Sequence, residues 1–215
     1  MNHLNYSIEL LSDTVPASGL TASAIVDTEI AVDSFGLPVI PGKRLKGLMR
    51  ESLLEVGEIT GHDLQLPLDS LFGQVGVADG YSIMLSDASL SDSEGIRLWL
   101  SWANEKFPGF FRDSMVLESF TDIRRQTKLK DGVAVKHSLR SMRVLKTGLT
   151  FFGSITSDRE IPGAEVSLLA MTLGNLRFLG LNRNRGLGRI KCELLDSTGT
   201  KISQTTAYKK FMEGV

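Results

Sequence analysis

Two kinds of residue in this chain could do chemistry, and they sit in separate segments. Asp27, Glu29 and Asp33 lie in a polar, small-residue stretch from Ser12 to Ser34. A carboxylate there can hold a divalent cation or move a proton. Each can equally be a solvated or turn-forming side chain, and Asp33-Ser34-Phe35-Gly36 has the composition of a turn. The cations fall in three groups. Lys43, Arg44, Lys46 and Arg50 follow Pro41-Gly42. Arg124, Arg125, Lys128, Lys130, Lys136, Arg140, Arg143 and Lys146 face only Asp122 and Asp131 within 122–146. Arg183, Arg185 and Arg189 punctuate the glycine-rich run 180–189. Cations in the first turn of a helix sit at the positive end of its dipole and cost a few tenths to about 1 kcal/mol each. A phosphate seated on that helix N-terminus would reverse the sign; a solvated basic helix start is the plain alternative.

The elements that must position these groups read as follows. Leu4 to Leu11 mostly alternates and fits a strand. Apolar residues Leu45, Leu48, Met49, Leu53 and Val56 recur at helical spacing, predicting a helix over 41–56 with Pro41 in its first turn. Leu66 to Phe72 fits a helical turn ended by Gly73, and Tyr81 to Asp87 a strand. Ile96 to Trp102 suits strand or helix. The loop 106–113 carries three phenylalanines, either a core staple or an exposed contact surface. Asp122 to Lys146 is too poor in large apolar residues to bury a core of its own, and Lys130-Asp131-Gly132 is a turn signal. It reads as a basic hairpin or projecting arm, an electrostatic footprint for polyanions. Gly148 to Thr156 returns to strand character. Pro162-Gly163 opens a second helix predicted to run to about Phe178, and the glycine-rich loop leads into a strand over 190–195. That loop is no Walker loop, since it precedes a strand and lacks Gly-Lys-Ser/Thr. Glycines beside arginines still suit close backbone contact with phosphates.

Composition narrows the classes further. With 42% hydrophobic and 23% charged residues the chain reads as globular, as a single domain over 1–215 with excursions. The lone Cys192 excludes an internal disulfide and fits a reducing cytosol, so a cytoplasmic location is expected. His3, His62 and His137 are too scattered for a local zinc site. No apolar run could span a bilayer. Strand, helix, strands, excursion, strand, helix and strand, in that order, suit an α+β sandwich of ferredoxin-like or RNA-recognition type. Such a fold could bring the three basic segments to one face, with RNA the most economical partner. The aromatic stacking signature of RNA-recognition modules is absent, so backbone reading is expected over base reading.

Leu37-Pro38-Val39-Ile40-Pro41-Gly42-Lys43-Arg44-Leu45-Lys46-Gly47-Leu48-Met49-Arg50 resembles the "hPhIPGSSLKGxhR" element of the RAMP superfamily of CRISPR-associated proteins. Leu71-Phe72-Gly73 matches the "LFG" that follows it. Asp122 to Thr127, with Val144 to Ile155, looks like the family's thumb hairpin, and Gly180 to Arg189 is similar to its loop "GxxRSRGhGRh". The best likeness is to the repeated backbone subunit of type III effector complexes. It implies a ferredoxin-like palm with a projecting thumb β-hairpin over 118–150 and an insertion over 96–115. It also implies guide RNA, target RNA and other effector subunits, further RAMP subunits among them, as partners, with no membrane. Asp27 falls where the family carries the residue for metal-dependent cleavage of paired target RNA. The resemblance thus makes Asp27 the expected catalytic residue and contact for a divalent cation such as Mg²⁺, with Asp33 structural. Thr28-Glu29 replaces the common Ser-Pro, and Lys43-Arg44 replaces Ser-Ser. Lys43, Arg44, Lys46, Arg50, Arg183, Arg185 and Arg189 are the expected guide contacts, and Arg124, Arg125 and Lys128 the cations that distort the duplex. The alternatives are a non-catalytic guide-binding scaffold, and a guide-processing endonuclease relying on a histidine, for which His62, read as a surface residue, is the one candidate near the first helix.

Overall fold

Alternation along the first strand organises the sheet. In β1 (His3–Leu10), Leu4, Tyr6, Ile8 and Leu10 are buried while His3 and Glu9 face solvent. The structure, a computed structural model, describes residues 2–16, 26–73 and 83–213; Gly19 in the first long loop, and Tyr81 and Ser82 at the head of an expected strand, lie outside them. After β1 come β2 (Ala31–Val32), β3 (Pro38–Ile40), α1 (Gly42–Thr60) and α2 (Gln65–Phe72). Then follow β4 (Ile83–Leu85), β5 (Ala88–Leu90), α3 (Ser93–Lys106), α4 (Asp113–Phe120), β6 (Thr121–Gln126), β7 (Leu129–Lys130), β8 (Val133–Ala134) and β9 (Arg140–Leu145). The chain closes with β10 (Thr150–Ser157), α5 (Gly163–Asn175), β11 (Ile190–Leu195) and α6 (Gln204–Glu213).

The main sheet is antiparallel in the order β11-β1-β10-β5-β3-β2, with β4 also paired to β10. With α1 and α5 packed together on one face, its centre is the split βαβ arrangement of a ferredoxin-like α+β fold. The core joins Tyr6, Ile8, Phe151 and Ile155 from the sheet to Leu45, Met49 and Leu53 of α1 and Leu169 and Leu173 of α5. Ile96 to Trp102 is helical. α5 stops at Asn175, short of the expected Phe178, because the chain from Arg177 turns back along β11, where Ile190 N–H donates to Arg177 C=O.

The start of α1 differs from expectation in an instructive way. Pro41 is its N-cap, not its first helical residue. Gly42 is pressed on the β4–β5 turn: a Cβ there would lie 2.4 Å from the Ser86 carbonyl oxygen. Its N–H donates to Asp87 Oδ1 at 2.9 Å. A carboxylate of the protein itself therefore meets the positive end of the helix dipole, where a phosphate was expected.

Between β5 and β10 the chain leaves the palm. β6 and β9 form a two-stranded stem, Thr121 opposite Leu145 through Gln126 opposite Arg140. The turn lies at Asp131-Gly132, both with positive φ, as a tight hairpin requires. The stem rests on a second, small cluster of Val15, Met142, Val144 and Leu187.

Candidate nucleic-acid interface

The acidic loop is stitched to the hairpin stem. Asp27 N–H and Thr28 N–H both donate to the Ser141 carbonyl, and Arg143 N–H donates to the Thr28 carbonyl. Asp27 Oδ2 accepts from Ser141 N–H at 2.7 Å and from the Ser141 hydroxyl at 3.0 Å. These two donors, with the nearby Arg140 cation, hold the exposed Asp27 carboxyl below the usual aspartate range. Among the described residues, no other residue donates to Oδ1. Arg125 lies directly opposite Ser141 across the stem and is exposed, so its cation shares a face with the residue that holds Asp27. Glu29 takes a different part. Its Oε1 accepts from Nε of the buried Arg143 at 2.8 Å, and Arg143 also donates to the Thr121 hydroxyl. The glutamate that departs from the usual Ser-Pro pattern is a counter-ion inside the stem. Asp33 is engaged throughout: Oδ1 accepts from Phe35 N–H and Leu37 N–H, and Oδ2 pairs with Arg97.

The basic segments meet in part. Lys43 and Arg44 of α1 line one cleft with Gly47, Leu48 and Arg183, closed on one side by Pro16 and the Gly180-Leu181 backbone. Gly180 makes this possible: its φ is +88°, and a Cβ there would lie 2.2 Å from the Val15 carbonyl oxygen. Arg183 Nε donates to the Gly180 carbonyl at 3.1 Å. Arg185 turns the other way and donates to Gln126 Oε1 at 2.7 Å, tying the glycine-rich loop to the hairpin.

Other expected contacts stand elsewhere. Lys46 points inward, its ammonium donating to the Ile83 carbonyl at 3.0 Å, and burial lowers its basicity. Arg124 pairs with Asp13. Arg50 is half-buried on α1, and Lys128 is exposed near the hairpin turn. Arg189 lines a separate groove along β11. His62 Nδ1 meets the Thr60 carbonyl, and its ring stacks edge-on against Phe211, a structural setting. The loop after α3 does not staple the core: Phe107 and Phe110 are exposed, continuing Trp99 and Trp102 of α3 into an open aromatic face. Asp13, Gln126 and Ser141, which organise the site, carry no signal in the sequence beyond their place in a long loop or a basic hairpin.

A cation would find one carboxylate here. Among the described residues no group of three or more His, Cys, Asp or Glu side chains converges. The donor set suits a hard ion that keeps its waters and shares one carboxylate with phosphate oxygens, and does not suit a resident ion held by protein alone.

A family model described as the RAMP superfamily matches residues 7–191. Among solved structures, a chain in the cryo-EM structure of the Type III-B Cmr-beta bound to cognate target RNA superposes with a TM-score of 0.67 at 14% identity, covering 90% of this chain and 97% of that one. A chain of the apo Type III-B Cmr-beta gives a TM-score of 0.65 at 14% identity, covering 91% and 98%. At that identity the likeness is one of fold. No curated protein matches the sequence.

Proposed function

The chain belongs to the RAMP superfamily, and from that premise we propose that it is the guide-RNA-binding backbone subunit of a type III CRISPR effector complex and cleaves the target RNA paired to its guide. The observation that carries the binding reading is the cleft that joins Lys43 and Arg44 to Arg183 across the glycine-rich backbone. Cations and close-approach glycines on one wall recognise a phosphate chain without reading bases. The fold shared with chains of an RNA-bound Cmr complex supports the same partner. Sequence choice then falls to base pairing with the guide.

For cleavage, the RNA supplies the nucleophile. The 2′-OH attacks the adjacent phosphorus and gives up its proton toward Asp27, the P–O5′ bond breaks, the departing 5′ oxygen takes a proton from water, and a cyclic phosphate and a 5′-OH result. Asp27 is ionised at neutral pH and keeps Oδ1 open to accept the hydrogen bond of the attacking hydroxyl. Ser141 fixes the carboxylate's orientation, as in-line attack requires. Arg125, on the same face, neutralises charge developing on the phosphate. A divalent cation such as Mg²⁺, contacted by Asp27, would add to that neutralisation. The second reading, a guide-holding scaffold without chemistry, is favoured by one observation. A carboxyl held at low pKa is a weak proton acceptor.

The binding half is tested by titrating labelled single-stranded RNA against the purified chain over a range of salt. Neutralising three phosphate contacts by Lys43→Ala, Arg44→Ala and Arg183→Ala together is expected to flatten the log K against log salt slope by about 2. An unchanged slope and affinity would remove the cleft from the interface.

A further inference from the structure

The cleft does not end at Arg183. A shallow pocket shares Leu48, Glu51 and Arg183 with it and reaches Arg177 and Phe178. A larger groove then begins at Arg177 and Phe178 and follows β11 past Arg189, Lys191 and Lys201. Phe178 is 39% exposed at the junction. Arg177 and Arg189 are exposed, and among the described residues neither guanidinium pairs with another side chain; Arg189 meets the Ser12 hydroxyl through its backbone N–H alone. Lys191 and Lys201 share a single carboxylate, Glu193, so the pair carries one uncompensated charge. Glu51 and Glu55 are the acidic residues of the joining pocket, and Glu55 accepts from Asn175 Nδ2; Glu9 stands opposite Lys191 on β1. Charges balance in the joining pocket, and cations outnumber acids in the cleft and in the groove on either side of it.

The edge of β11 is open at this place. Ile190 N–H donates outward to Arg177 C=O, and Leu194 C=O accepts outward from Ile202 N–H. By the alternation of an antiparallel strand, the Cys192 N–H and C=O between them also face outward into the groove. Among the described residues they meet no backbone partner, which leaves a donor and an acceptor for a ligand.

We infer that this groove is a single-stranded RNA subsite, in which Phe178 stacks one base and Arg177 and Arg189 hold the flanking phosphates as the strand leaves the glycine-rich loop. An exposed aromatic ring sharing one groove with exposed guanidinium groups suits unpaired nucleotides, which offer a π-face and a phosphate at each step. A duplex keeps its bases stacked and offers none to Phe178. The inference rests on the RNA-binding reading proposed above and extends it to an unpaired segment.

The test uses the full chain, fluorescein-labelled single-stranded RNAs of increasing length, and RNA carrying 4-thiouridine for cross-linking. On long oligomers Arg177→Ala with Arg189→Ala is expected to flatten the salt slope by about 1.4. Phe178→Ala is expected to weaken binding roughly tenfold and to abolish a cross-link at position 178, whereas Phe178→Tyr retains both. On oligomers short enough to fill only the Lys43–Arg183 cleft, all three variants should bind like wild type. If wild type binds no RNA, the function proposed above fails. If wild type binds and the Lys43/Arg44/Arg183 variant loses binding while the Arg177, Arg189 and Phe178 variants match wild type at every length, the subsite alone is overturned.

Discussion

Two aspartates six positions apart are held in opposite ways. Asp33 spends both oxygens on the protein, one on two backbone N–H groups and the other on Arg97. Asp27 spends one oxygen on Ser141, and among the described residues no other residue donates to its second oxygen. The hairpin stem repeats the contrast with cations: Arg143 is buried against Glu29, while Arg125, two residues along on the partner strand, is exposed. One member of each pair is consumed by the scaffold and the other keeps bonding capacity to spare. Saturation of a side chain's bonding capacity separates the two roles where residue type does not.

That contrast predicts graded losses. The largest belongs to Glu29→Ala, which strands a buried guanidinium; unfolding should cost about 3 kcal/mol less, with the Tm falling accordingly in thermal melts. Asp33→Ala removes an acceptor from two backbone N–H groups and frees Arg97, for about 1–3 kcal/mol, read by the same melts; a Tm equal to wild type would break the distinction. Asp27→Ala should lower the Tm least of the three, because its side chain is exposed and the backbone bonds from Asp27 and Thr28 to Ser141 remain.

The Asp27 carboxyl also gives a pH prediction. Its folded pKa is depressed, so the Ser141 contacts contribute above the ordinary aspartate range and are lost as pH falls through the lowered value. The Ser141 amide resonance should titrate with a midpoint below that of an unperturbed aspartate and lose the transition in Asp27→Asn. A midpoint at or above it would show that the carboxylate does not hold Ser141. The smallest effect concerns Cys192, whose burial pushes its thiol up to about 12. It should resist alkylation in the native protein at neutral pH and react only on unfolding.

Much of the fold was legible in the residues. Alternation marks β1 because one face meets the core and the other does not, and helical spacing marks α1 because Leu45, Met49, Leu53 and Val56 are all buried. The Asp131-Gly132 turn announced the hairpin. α3 was ambiguous for a physical reason: Leu98, Trp99 and Trp102 are apolar yet exposed, so burial does not write a clean period into it. In the candidate site, the positions of the cations were readable and their partners were not. Nothing in the sequence shows that Lys46 turns inward to Ile83 or that Asp13 takes Arg124, since those pairings join residues far apart in the chain. The same long-range contacts hide Ser141, which decides what Asp27 can do.

The measurement closest to the central claim is cleavage of a labelled, guide-complementary RNA by the purified effector complex, with and without Mg²⁺, carrying wild-type chain or Asp27→Ala. The account predicts products from wild type that vanish in the variant while target binding is unchanged. Cleavage by the variant at the wild-type rate would contradict it.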